Sequence, residues 1–185
     1  MRILAIADRA PLRPLAQLLQ EQSVDVIVTL GDLELSDIRY LENVKHIPKL
    51  GVYGNHCSGM YMPELGIVNM HMATTEIQGV RFGGFEGCVR YKQSTAKMYT
   101  QEEASEYFSY FPYVDVLLTH CPPFGINDDL SDIAHTGFIG SRDYLNREHP
   151  KLLMHGHTYP TANELVRQVG STRIEYVFGS AVIEL

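Results

Sequence analysis

No stretch of this 185-residue chain approaches the roughly 18 consecutive apolar residues of a membrane span, so no bilayer-crossing segment is expected. Its first residues, MRILAIADRAPLR, lack the long hydrophobic region and small-residue cleavage site of a signal peptide. They read as a first strand, and the chain as a cytoplasmic protein. Basic residues are in deficit, with 15 Lys+Arg against 22 Asp+Glu and a net charge of −7. That argues against general nucleic-acid binding, which needs a basic face. Cysteine is scarce too. Cys57, Cys88 and Cys121 form no C-x-x-C pair, which leaves neither a disulfide framework nor a zinc ribbon, only small reduced side chains. Low-complexity tracts, internal repeats and linkers are also missing. The length suits one domain, residues 1–185, which can bury roughly 70% of the surface its unfolded chain exposes.

What is present is an alternation. RILAIA (2–7) ends at Asp8, DVIVTL (25–30) at Gly31-Asp32, and HIPKLGVYG (46–54) at Asn55-His56. The helix-like stretches LAQLLQEQ and SDIRYLENV (36–44) separate them. Strand-like runs alternating with helical spacing predict βαβ units and parallel strands, hence an α/β fold. Further along, GIVNMH and TEIQGVRFGGFEG read as short strands broken by glycines, and EEASEYFSYF (102–111) as a helix. DVLLTH (115–120) is another strand, FIGSRDYLNREH (138–149) a helix and KLLMHGHTY (151–159) a strand. The tail, ELVRQVGSTRIEYVFGSAVIEL, reads as antiparallel strands turning at Gly170-Ser171 and at Gly179-Ser180.

In open α/β sheets ligands bind beyond the carboxyl ends of the strands. Five strand-like runs deliver Asp8, Asp32, Asn55-His56, His120 and His155-Gly156-His157 to that edge. Each alone is ordinary. Together they are the oxygen and nitrogen donors that divalent metals take. Asp8 and Asp32 belong to adjacent strand ends, and two close carboxylates need either a shared proton or a cation between them. The neighbouring histidines favour the cation.

In order, Asp8, Gly31-Asp32, Gly54-Asn55-His56, His120 and Gly156-His157 resemble the motifs of the calcineurin-like metallophosphoesterases, over essentially the whole chain. The resemblance implies a β-sandwich of mixed sheets flanked by helices. It also implies hydrolysis of a phosphate mono- or diester, such as a small phosphoester or a nucleotide, by metal-activated water. By position, Asp32 is then the aspartate shared by two metal sites, and Asn55, His120 and His157 complete the second. His56 is implied to act at the leaving oxygen or on the developing charge. The first site departs from the pattern. Where the family has D-x-H this chain has Asp8-Arg9-Ala10, and where it has G-H-x-H this chain has Gly156-His157-Thr158-Tyr159. One divalent ion (Mn, Fe, Zn or Ni) is therefore expected, without a second. Relatives with weakened sites that act as scaffolds supply the alternative reading, a binding module on the same fold.

The neighbouring residues carry two readings each. Arg9 and Arg90, with Lys92, are either phosphate-binding cations or solvated surface charges. Tyr159 either meets the phosphoryl group or the metal through its hydroxyl, or packs into the space of the lost imidazole. His155 is read as supporting or structural, while His135 in the 121–137 loop is a substitute ligand only if that loop folds back. His46, His71 and His149 have no motif context. Asp128 and Asp129 read as a solvated acidic loop, since the spacing lacks the glycine and terminal glutamate of a calcium loop. The aromatic run 106–113 reads as core with an amphipathic rim. A cysteine–histidine pair such as Cys121 with His120 is poorly arranged for nucleophilic catalysis, because strand neighbours point to opposite faces.

Overall fold

The aliphatic, β-branched runs of the sequence become strands sorted into two larger mixed sheets, with helices against them. The computed structural model describes residues 1–57, 59, 61–93 and 96–185. Its first half runs β1 (Arg2–Ala7), α1 (Leu15–Glu21), β2 (Val26–Thr29), α2 (Leu35–Ile38), β3 (Lys49–Gly51), α3 (Tyr61–Leu65) and β4 (Val68–Asn69). The middle holds β5 (Thr74–Ile77), β6 (Val80–Phe85), β7 (Cys88–Val89), β8 (Met98–Tyr99), α4 (Gln101–Tyr110) and β9 (Val116–Thr119). Then follow α5 (Ile139–Glu148), β10 (Leu152–His155), β11 (Gln168–Val169), β12 (Thr172–Tyr176) and β13 (Gly179–Glu184).

The first sheet has the order β13-β1-β2-β3-β4 and the second β11-β12-β10-β9-β6-β5. β1 to β4 pair in parallel, as do β6, β9, β10 and β12. The expectation of parallel strands in an α/β fold is met. β5 and β6 form a hairpin closed by Gln78-Gly79, both at positive φ, the conformation a two-residue turn requires.

Strand alternation sorts the core into layers. Ile3, Ala5 and Ala7 of β1 share one apolar cluster with Phe82, Val116, Leu118, Leu152 and Met154 of the second sheet. Leu4, Ile6 and Ile27 turn the other way, onto α1, α2 and α3. On the far side, Phe85, Leu117, Leu153 and Ile174 meet α4 and α5. Two sheets thus face each other, and helices cover their outer faces. Each large side chain so buried contributes about 1.5–3 kcal/mol.

Local signals set the helix ends. α4 starts at Thr100, whose hydroxyl accepts the Glu103 N–H at 3.1 Å while the Glu103 carboxylate accepts the Thr100 N–H at 2.7 Å. The predicted helix 36–44 is shorter than its pattern, one turn of α2 followed by a 3-10 segment, Arg39–Asn43.

The tail corrects the sequence reading. Gly170-Ser171 does join the antiparallel β11 and β12. At Gly179, however, there is no hairpin: β12 pairs in parallel with β10, while β13 crosses to the first sheet and runs antiparallel to β1. β13 covers the β1 edge, which would otherwise expose unpaired backbone groups. A strand's partner is set by such edges, and they are invisible to local periodicity.

Candidate metal centre

The strand ends β1, β2, β3, β9 and β10 bring Asp8, Asp32, Asn55, His120 and His157 to one rim where the two sheets meet. Asp8, Asp32 and His157 all have left-handed backbone, with φ of 63°, 51° and 71°. Outside glycine that conformation costs on the order of 1–2 kcal/mol per residue, so surrounding contacts must hold it.

Those contacts can be named. The Asp8 N–H donates to the Gly31 carbonyl at 3.0 Å, and its carboxylate accepts the His157 N–H at 3.1 and 3.0 Å. This ties the two sheets together. Only glycine fits at 156, because a Cβ there would lie 2.5 Å from Asp8 Oδ2. Gly31 is equally constrained: with φ +95°, its Cβ would run into the Gly54 nitrogen and sit 2.7 Å from His120 Nδ1. Asp32 accepts the His56 N–H on Oδ1 at 2.8 Å. The Cys57 sulfur receives the N–H groups of Asp32 and Gly54 at 3.2 and 3.1 Å, fixing the loop that carries them.

The histidine tautomers follow from their partners. His120, wholly buried, places Nδ1 2.7 Å from the Leu30 carbonyl, and a carbonyl can only accept. Nδ1 therefore carries the proton. Nε2 is left facing Asn55 Oδ1 at 3.1 Å and Asp32 Oδ2 at 3.4 Å. His157 places Nε2 2.7 Å from the Ala134 carbonyl, so its Nδ1 keeps the lone pair. The two rings are 4.7 Å apart. One donor atom each from Asp32, His120 and His157 lies within 4.8 Å of the others, a group that could hold a metal ion.

The electrostatics fit a cation. Burial first, and the Asp32 charge last, push the Asp8 carboxyl up to about 6 against the opposing pull of His120 and the His157 N–H. Burial also works to raise Asp32, but the hydrogen bond and charge of His120 and the His56 N–H outweigh it and hold Asp32 at about 2. Burial disfavours charge on His120, yet Asp32, Asp8 and the Leu30 carbonyl together raise its pKa. Burial and the charge of His120 press His157 down to about 3, so its lone pair stays free. Three acceptor-rich donors crowd around one point: in neutral His120, Nε2 opposes two oxygens and requires a proton or a cation between them. Donors around one ion bonded at about 2.1 Å stand roughly 3–4 Å apart; His120 Nε2 and Asp32 Oδ2 are 3.4 Å apart, and the group with His157 lies within 4.8 Å.

The remaining predicted residues divide. His56 is exposed, with its backbone on Asp32. Arg9 places its guanidinium 5.3 Å over the Phe178 ring. Tyr159 is 68% exposed and stands edge-on to Phe178 at 5.8 Å and His135 at 5.9 Å, so it stands on the rim and does not pack into a lost imidazole's space. Burial, then the charges of Asp8 and Asp32, raise its pKa. Arg90 is engaged elsewhere: its guanidinium meets Glu103 at 3.3 and 2.9 Å and the Met98 carbonyl at 3.2 Å, joining β8 to α4. Lys92 lies over Tyr91 at 5.0 Å. The loop does fold back, for the His135 ring lies 5.1 Å from His157 and its Nδ1 donates to Asp132 at 2.6 Å. His155 is buried against Asn127, which donates to its Nε2 at 3.0 Å, and burial lowers its pKa to about 4.

Sequence reasoning missed Asp132, Phe178, Cys57 and the carbonyls of Leu30 and Ala134. Only the first left a signal. Asp132 caps the 3-10 turn Ile133–His135 and stands three residues before His135, a spacing at which side chains on such a turn eclipse.

No protein-family model matches the chain, and no curated protein matches it. One solved crystal structure superposes with a TM-score of 0.65 at 14% identity, over 94% of this chain and 89% of its own. The crystal structure of TT1561 of Thermus thermophilus superposes with a TM-score of 0.55 at 15% identity, over 84% of this chain and 80% of its own. At these identities the likeness is one of fold alone.

Proposed function

We propose that this chain is a metal-dependent phosphoesterase of the calcineurin-like kind, hydrolysing a phosphate mono- or diester. In this reading one divalent ion, Mn, Fe, Zn or Ni, is held by Asp32, His120, His157 and the Asn55 carbonyl oxygen, with Asp8 beneath them. The observation that carries it is the convergence of Asp32, His120 and His157 from three strand ends of two sheets. A divalent ion there polarises a phosphoryl oxygen and lowers the pKa of water to about 7.

The chain's own residues supply the rest. The Leu30 and Ala134 carbonyls hold a proton on His120 Nδ1 and on His157 Nε2, which sets the orientation of both rings before any ligand arrives. Asp8 clamps the His157 backbone and keeps the rim in register. His56, exposed and held by its backbone N–H on Asp32, is the residue this reading assigns to the leaving oxygen. Arg9, over Phe178, and Tyr159, exposed on the rim, are the residues this reading assigns to the non-bridging phosphoryl oxygens.

The test is turnover of p-nitrophenyl phosphate and bis-p-nitrophenyl phosphate with added Mn²⁺. Turnover that tracks the metal and falls at least about a hundredfold in His56→Ala is the expected result. Metal bound to Asp32, His120 and His157 without turnover of any ester would instead favour the binding-module reading. That reading draws on Ala10 and the outward-standing Tyr159 at the first-site positions.

A further inference from the structure

Two large aromatic side chains stand in water at the rim of the metal group. Tyr159 is 68% and Phe178 43% exposed, and they touch, with ring centroids 5.8 Å apart and planes at 78°. Single exposed apolar residues are ordinary on a protein surface; a contacting aromatic pair beside a donor cluster is not. Phe178 is set there by the fold. It belongs to the crossover between β12 and β13, which carries the chain from the second sheet to the first. Its neighbour Val177 is buried in the shared core and donates its N–H to the His155 carbonyl at 2.8 Å.

The pair is joined to the metal group from both ends. Arg9, the residue after Asp8, holds its guanidinium 5.3 Å over the Phe178 ring. His135 lies 5.1 Å from the His157 ring and 5.9 Å from the Tyr159 ring. The nearly perpendicular rings form an open corner, in which a flat group can stack on one and meet the edge of the other. Because both rings stay partly wet, the group that suits them has a π-face for the rings and polar atoms on an edge left in water. A nucleobase has both.

Charge limits what accompanies the base. Tyr159 and His135 also border a cavity of about 700 Å³ whose lining includes Asp128, Asp129, Asp132 and Glu164 and no lysine or arginine. Each phosphate beyond one at the metal group would bring more negative charge toward these four carboxylates. We infer that Tyr159 and Phe178 form a base-stacking platform and that the substrate class of the metal centre is a nucleoside monophosphate. The inference rests on the phosphoesterase reading for where the phosphate lies, but stacking of the base does not depend on hydrolysis.

The experiment compares adenosine 5′-monophosphate with ribose 5-phosphate, which lacks only the base, by calorimetric titration of the full chain with Mn²⁺. The nucleotide is expected to bind about tenfold or more tightly. Phe178→Leu and Tyr159→Leu keep apolar bulk without the π-face, and each is expected to cut that preference at least about threefold. Tyr159→Phe keeps the ring and is expected to preserve it. Equal binding of the two ligands, binding of neither, or a preference that survives both leucine substitutions would overturn the inference. Hydrolysis is scored separately, on the nucleotide and on p-nitrophenyl phosphate. Turnover of p-nitrophenyl phosphate with no binding preference for the nucleotide overturns the platform and leaves the phosphoesterase reading in place. A ring-dependent preference for the nucleotide with neither ester cleaved does the reverse.

Discussion

The Asp8 side chain is 5% exposed, and burial lifts its carboxyl from the usual 3.8 to about 6. Between those values the folded protein binds a proton that the unfolded chain has lost. Stability therefore falls as pH rises through this window, and the cost is complete above 6, at ~1–3 kcal/mol. In metal-free protein, Asp8→Asn should gain on the wild type by that amount between pH 4 and pH 7.5, as read by urea unfolding at both. An offset that is the same at both pH values would contradict the burial argument. Asp32 behaves oppositely. Held at about 2, it contributes stability above 3.8 that is lost as pH falls toward 2. At the two positions that the proposed reading assigns to a first metal site, Ala10 is exposed and Tyr159 stands on the rim. On the proposed reading, Ala10→His with Tyr159→His should add one ion per chain to the wild-type count by elemental analysis, and an unchanged count would refute the first-site assignment.

Elements act on the centre through their ends. Two substitutions separate an element's stability from its delivery of ligands. Thr100→Ala removes the cap of α4, which packs on the far side of the second sheet; it should cost about 1 kcal/mol and lower Tm by roughly 2–4 °C. Mn²⁺ affinity should not change. Gly31→Ala instead drives a Cβ into the Gly54 nitrogen and to 2.7 Å from His120 Nδ1, in a left-handed backbone. It should cost about 1–3 kcal/mol and also weaken Mn²⁺ binding at least about tenfold, measured by calorimetry. If Gly31→Ala lost stability alone, the β2 end would not be the element that aims Asp32 and His120.

For the whole molecule the consequential feature is that the donors belong to different sheets. Asp32 follows β2 of the first sheet, while His120 and His157 follow β9 and β10 of the second. An ion held by all three cross-links the sandwich at its rim, next to the Asp8–His157 tie. Mn²⁺ at a hundred times its Kd should add about 2.7 kcal/mol to the free energy of unfolding. His120→Ala should abolish that increment. A deeper substitution between the sheets, Phe82→Ala, should cost about 3–5 kcal/mol whether or not metal is present, since its cavity lies in the shared core.

The α/β alternation and the polar residue at each strand end were legible in the sequence, because both depend on neighbours a few positions apart. Runs such as RILAIA and DVLLTH bury both faces, and the next residue falls at the sheet edge whatever the chain does later. Which ends meet was not so determined. β13 left its expected hairpin for the β1 edge, nearly the full chain length away, because an open edge and a shared core outweighed proximity. His135 came against His157 through a loop whose path periodicity does not encode. Arg90 was drawn to Glu103, and Tyr159 was left standing outward. Periodicity names the donors; only the packing of one sheet on the other places Asp32 beside His120 and His157, since long-range contacts depend on which surfaces remain to be covered.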